Sequence, residues 1–141
     1  MSIITFDFSF SFPETSIPTK LKWYLESSLN STVIRPQDAE YIIASIAKNP
    51  IGAEMSRDFI KRKWKMLMSR HNFGYVLEAA YASGKTMSEL KDAENLFAKR
   101  ELGSNKMAAK RIVASIQNNI KWLDENEKVV TNWLMKKIKQ F

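Results

Sequence analysis

From Ile17 onward, apolar residues recur every three or four positions, segment after segment, and each segment is closed by a proline, a glycine or a short polar run. That is the α-helical period, and it commits the chain to amphipathic helices that must bury one face against each other. Ile17, Leu21, Tyr24, Leu25 and Ser28 share a face and predict a first helix ending near Leu29, with Asn30-Ser31-Thr32 as the loop. Pro36 suits a helix start, and Ala39, Ile42, Ile43, Ile46 and Ala47 then follow the i, i+3, i+4, i+7, i+8 rule. Pro50 biases Asn49 away from helical backbone, so Asn49-Pro50-Ile51-Gly52 reads as a tight corner.

Beyond that corner, a third helix is predicted from Glu54 to Arg70, with Phe59, Ile60, Trp64 and Leu67 inward. Gly74 separates it from a fourth, Tyr75 to Ser83, which stops at Gly84. Thr86 and Glu89 have capping-box spacing and start a fifth helix that buries Leu90, Ala93 and Phe97 and ends at Gly103. A sixth runs from about Asn105 to Leu123 on Ala109, Ile112, Val113, Ile116, Ile120 and Leu123. A seventh runs from Glu127 to Gln140 on Val130, Trp133, Leu134 and Ile138. The fold class is therefore all-α: about seven helices, antiparallel because the loops are too short for crossovers, stacked as helical hairpins. Residues 42–49, IIASIAKN, echo residues 112–119, IVASIQNN, 70 residues later (112 − 42), which suggests repeated helical pairs.

Residues 1–14 differ from the rest. Phe6, Phe8, Phe10 and Phe12 alternate with polar residues, a strand-like period, so this segment reads as an arm that docks on a neighbour or self-associates; 15–141 form the helical domain. The arm has no basic start and Asp7 interrupts it, so it is not expected to be a signal peptide. No stretch of about 18 apolar residues occurs, so no membrane span is expected.

Catalytic chemistry finds little to work with. The 141 residues hold one histidine, His71, and no cysteine, whereas a catalytic zinc site takes about three converging protein ligands. His71 falls at the end of the predicted third helix, where an imidazole interacts with the last carbonyls. The four glycines stand singly at helix junctions with no phosphate-binding pattern, and Asp92 with Glu94, or Asp124 with Glu125 and Glu127, lie near helix starts or on polar faces. Catalytic, metal and cofactor sites are thus expected to be absent, and the chain is not expected to be an enzyme by itself. The net charge of +7, with clusters at Lys61-Arg62-Lys63-Lys65 and Lys136-Lys137-Lys139, raises nucleic acid as a partner. The third-helix cations point in several directions and Asp58 is interspersed, which disfavours that reading. Asn30-Ser31-Thr32 is a glycosylation sequon in a loop, making Asn30 a candidate acceptor.

The ordered set Tyr24-Leu25-Glu26, Ile34-Arg35-Pro36-Gln37-Asp38, residues 46–52 (IAKNPIG), Asp58-Phe59-Ile60 with Trp64 and Leu67, residues 119–123 (NIKWL) and 130–134 (VTNWL) resembles the C-terminal helical domain of aminopeptidase-N-like, oxytocinase-type zinc metallopeptidases. The likeness covers about Lys20 to Leu134; it departs at Gly84-Lys85-Thr86-Met87, where the family has a longer connection, and at the Phe-rich arm. The resemblance implies a HEAT-like bowl that closes over a catalytic domain, limits peptide entry and in some members aids dimerisation. It also implies that zinc, its ligands and the catalytic glutamate belong to another domain, and an extracellular or membrane-associated setting if the chain is part of a full-length member. No catalytic residue carries over. A free-standing helical adaptor, and less so a basic nucleic-acid-binding module, stay open beside it.

Overall fold

The computed structural model describes residues 15–140. The Phe-rich arm, residues 1–14, lies outside the described residues. Seven α-helices and two single 3₁₀ turns account for the rest, and no strand occurs among the described residues: α1 Pro18–Ser28, α2 Ala39–Lys48, α3 Ala53–Arg62, α4 Trp64–Met68, α5 Phe73–Tyr81, α6 Met87–Lys99 and α7 Lys106–Ile138. The 3₁₀ turns, Pro36–Asp38 and Gly103–Asn105, lead into α2 and α7.

The all-α class holds, but the count of seven arises from two compensating differences. The predicted third helix is broken at Lys63, giving α3 and the short α4. The break re-aims the chain: Trp64 enters the core, donates its indole N–H to the Glu101 carbonyl at 2.8 Å and meets Phe73 edge-on at 5.1 Å between ring centroids. Conversely, the predicted sixth and seventh helices are one 33-residue helix, α7. No glycine or proline lies between Asn105 and Gln140, and the polar run Asp124-Glu125-Asn126-Glu127 is helix-compatible; the Asn126 amide simply donates to the Trp122 carbonyl one turn back.

The helices form two layers. α2, α5 and α7 lie side by side, with α5 packed on both neighbours; α1 and α3 cover α2, and α6 packs on α7. α5 and α7 run parallel: Gly74 faces Asn105 and Ala108, Arg111 pairs with Glu78 in a contact of 2.6 Å, and Asn119 reaches the carbonyls of Ala82 and Gly84. Gly74 is therefore not a helix separator but an interior residue of α5, where the absence of a Cβ lets α7 approach closely. Likewise α5 ends at Tyr81 and Gly84 has no left-handed backbone; only Gly103 does, at φ +52°. Gly103 begins the turn into α7, since α6 already ends at Lys99.

The 42–49 and 112–119 echo proves to be the two outer copies of a threefold pattern. α5 and the turn after it contribute 77–84, LEAAYASG, at the midpoint, 35 residues from each (77 − 42 and 112 − 77). Ile42, Leu77 and Ile112 are buried at one position of this row, and Ile46, Tyr81 and Ile116 at the next. The polar end of the motif repeats too: Asn49 donates its side-chain amide to the Thr15 carbonyl just before α1, and Asn119 donates to Gly84 just before α6. In each pair an asparagine of the inner helix row, Asn49 at the end of α2 and Asn119 midway along α7, ties that helix to the start of the outer one.

The core is continuous from Leu21 and Leu25 of α1 through Ile43, Ile46, Phe59, Phe73 and Leu77 to Ile112 and Ile116 of α7. It stops there. The predicted stripe of a seventh helix is not buried: Trp133 is 58% exposed and Ile138 67%, against 1% for Ile116. α5 and α6 are too short to follow α7, so its last 18 residues after Ile120 project about 27 Å beyond the body.

Candidate interaction surfaces

An open cleft of about 500 Å³ lies where the start of α2 meets the α4–α5 turn, lined by Pro36, Glu40, Tyr41, Arg70, His71 and Asn72 among others. Its floor is charged. Glu40 is buried and pairs with Arg70 at 3.6 Å, while the Arg70 guanidinium also donates to the Pro36 carbonyl at 3.2 Å. Burial makes this pair a fixed feature, because removing the cation strands a carboxylate away from water. His71 is exposed in the turn after α4, which ends at Met68, so it is not the helix-end imidazole the sequence suggested. Beside the cleft, Tyr41 and Tyr75 meet at 5.9 Å between ring centroids, and Lys48 lies 5.1 Å over the Tyr75 ring while donating to its hydroxyl at 3.3 Å. Both tyrosines are exposed, presenting two aromatic faces and a cation on the α2–α5 layer.

A smaller depression, about 100 Å³, lies between α3 and α6 and is lined by Arg57, Lys61, Tyr81, Gly84, Glu89 and Asp92. Burial pushes the Tyr81 phenol up to about 12, and its hydroxyl has no hydrogen-bond partner among the described residues. The cations here are already engaged in part, since Arg57 donates to the Ala80 carbonyl. Glu89 is committed to the capping box: its carboxylate accepts from the backbone N–H groups of Lys85 and Thr86, and its own N–H donates to the Thr86 hydroxyl. Those bonds, led by the one from Lys85, hold its carboxyl below the usual carboxylate range.

Asn30 is exposed in the α1–α2 connection, where its side-chain oxygen accepts from the backbone N–H of Thr32 at 3.1 Å and from the Thr32 hydroxyl at 2.7 Å. The basic clusters do not merge into one surface. Arg62 pairs with Glu26 at 3.0 Å on α3, whereas Lys136, Lys137 and Lys139 sit at the far end of α7.

Zinc, the metal of the resembled family, does not fit the residues present. The chain has a single histidine and no cysteine, and among the described residues no three His, Cys, Asp or Glu side chains converge to hold a metal ion. No described helix is long and apolar enough to cross a membrane. The tyrosine cluster and the bare end of α7 were both missed from the sequence. For the tyrosines, the signal was a polar-faced aromatic on each of two neighbouring repeats.

The fold defines an all-α module of packed helical pairs. Comparison with known proteins narrows this further: residues 12–121 match the family model described as ERAP1-like C-terminal domain, and the chain belongs to that family. It is similar to mouse endoplasmic reticulum aminopeptidase 1 (27% identical over 133 residues, 90% of this chain and 14% of the relative). It is also similar to bovine aminopeptidase N (34% over 122 residues, 80% of this chain, 12% of the relative) and human aminopeptidase N (33% over 121 residues, 80% and 12%). The chain thus spans only about an eighth of the length of these relatives.

Proposed function

We propose that this chain acts as a non-catalytic helical module of a zinc aminopeptidase-type protein, packing on a catalytic domain and helping to wall its peptide cavity. The family match over 12–121 carries this reading. The helical pairs repeating at 35 residues support a HEAT-like stack, whose layered helices present a broad surface instead of a single deep site. Zinc and the reacting groups then belong to the other domain, and this chain contributes shape and charge. The α2–α5 layer is the face assigned to peptide: Tyr41 and Tyr75 offer apolar platforms, and Lys48 favours acidic side chains or a carboxylate. Asn30 is the assigned glycan acceptor where the chain passes through a secretory compartment, because the acceptor is exposed and its turn is already formed.

The test is a mixing experiment. The full chain, combined with a family catalytic domain lacking its own helical module, should co-migrate in gel filtration and bind fluorescent oligopeptides. Tyr41→Ala with Tyr75→Ala, both exposed and so compatible with the fold, should weaken peptide binding about tenfold, as for loss of two aromatic anchors. Failure to associate with the catalytic domain and to bind peptides defeats the proposal.

A further inference from the structure

The depression between α3 and α6 has walls of opposite charge. Arg57 and Lys61 stand one helical turn apart on α3, Glu89 and Asp92 line it from α6, and Tyr81 of α5 lies between them. Among the described residues neither cation forms an ion pair with either acid. Arg57 donates once, to the Ala80 carbonyl at 3.3 Å; its other N–H groups and the Lys61 ammonium have no hydrogen-bond partner among the described residues. The capping-box bonds to the Glu89 carboxylate all fall on Oε2, so Oε1 accepts none of them, and Asp92 is exposed. Tyr81 is the buried member: it is 7% exposed, and its hydroxyl, able both to donate and to accept, has no partner among the described residues. Opposed charges that do not close on each other, beside a buried hydroxyl left unbonded, call for a polar molecule between them.

We propose that this depression binds a small free α-amino acid as its zwitterion, the carboxylate towards Arg57 and Lys61 and the ammonium towards Glu89 and Asp92. The signs choose the ligand. A simple anion drawn to the α3 cations meets the α6 carboxylates, and a simple cation drawn to the acids meets Arg57 and Lys61, so a group of one sign loses on one wall what it gains on the other. A zwitterion serves both, because its two charged groups diverge from one carbon. The Tyr81 hydroxyl suits either group and gains a partner. Size chooses the side chain. A volume of about 100 Å³ is roughly three times what a water occupies in the liquid, room for about five or six heavy atoms. Glycine, alanine and serine fit that room, whereas a long or aromatic side chain does not. The site lies between helices of the outer layer, apart from the α2–α5 face assigned to peptide, and its test needs no catalytic domain, so it stands or falls separately from the function proposed above.

Isothermal titration calorimetry of the full chain with L-alanine tests the site. Binding should saturate at one molecule per chain with a Kd on the order of millimolar or tighter, within what about six heavy atoms can supply. N-acetylalanine keeps the carboxylate but lacks the ammonium, and alaninamide keeps the ammonium but lacks the carboxylate; each should bind at least about tenfold more weakly. Charge reversal should then redirect the preference: Asp92→Lys towards N-acetylalanine and Lys61→Glu towards alaninamide. Both side chains are exposed, so unchanged circular dichroism reports an intact fold. Tyr81→Phe keeps the ring that meets Phe97 and should weaken alanine binding about fivefold. Absence of saturable alanine binding overturns the proposal. So does N-acetylalanine or alaninamide binding as tightly as alanine, or an unchanged order of the three ligands in the reversed variants, which would put alanine on another surface. If a reversed variant does not fold, the three ligands compared on the wild type decide the matter.

Discussion

Gly52→Ala is a one-methyl change whose cost can be worked from the corner between α2 and α3. A Cβ built at Gly52 comes within 2.4 Å of the Ile46 carbonyl oxygen and 2.7 Å of its Cγ2, about 1 Å short of ordinary contact for the first. Neither atom is free to retreat. The Ile46 carbonyl already accepts the Asn49 N–H at 3.1 Å, closing α2, and the Ile46 side chain is fully buried. Overpacking of this kind costs about 1–3 kcal/mol, and straining the Asn49 bond adds up to about 1 kcal/mol. Against this, alanine restricts the unfolded chain and returns about 0.4–1 kcal/mol. The net expectation is a loss of about 1–3 kcal/mol, which for a domain of this size lowers Tm by about 4–10 °C. Gly84→Ala is the control, because its nearest neighbours, Ile116 Cγ1, Glu89 Cβ and the Tyr81 carbonyl oxygen, stand at 3.2–3.3 Å and need yield only by a few tenths of an ångström. It should cost about 1 kcal/mol or less. Urea and thermal unfolding followed by circular dichroism measure both. If Gly52→Ala unfolds within about 0.5 kcal/mol of wild type, or Gly84→Ala proves the more damaging, the steric reasoning is refuted.

The remaining expectations concern the cap, the buried phenol and the exposed helix. Thr86→Ala should destabilise by about 1 kcal/mol in urea titration, since it removes the acceptor for the Glu89 N–H at the start of α6. Because the folded protein lowers the Glu89 pKa, its contribution is present above the ordinary carboxylate range and lost as pH falls through the lowered value; Glu89→Gln should flatten the acid limb of stability against pH. Tyr81 behaves oppositely: its pKa rises from 10.0 to about 12, so the stability it contributes is present below pH 10 and lost as pH climbs towards 12. Tyr81→Phe, which removes a hydroxyl without a partner among the described residues, should be close to neutral at pH 7 and should blunt alkaline unfolding monitored by absorbance. In dilute solution Trp133→Ala and Leu134→Ala should each change stability by under about 0.5 kcal/mol, whereas Ile116→Ala should cost about 2–5 kcal/mol. Equal costs would mean that the end of α7 is buried after all.

Much of the architecture was legible from residue spacing. The stripes of α1, α2 and α6, the Thr86–Glu89 capping box and the Asn49–Gly52 corner are local: each is set by side chains within about one helical turn, and such interactions do not depend on what lies across the molecule. The family was legible for the same reason, since its marks are corner and stripe residues. What periodicity could not convey is whether an apolar stripe has anything to pack on. Val130, Trp133, Leu134 and Ile138 repeat as regularly as Ile112 and Ile116 do, yet only the latter lie within reach of α5 and α6.

The break at Lys63 was equally hidden, because the residues that anchor Trp64 just beyond it, Phe73 and Glu101, are distant from it in sequence. So was the middle copy of the repeat, where Tyr81 and Gly84 replace isoleucine and asparagine and only the side-by-side placement of α2, α5 and α7 shows the correspondence. By itself, then, the sequence determined helix period, caps, corners and family, all consequences of short-range backbone and side-chain chemistry. The tertiary structure decided which stripes are core and which are surface, because burial depends on the length and placement of neighbouring helices, and no single helix carries that information.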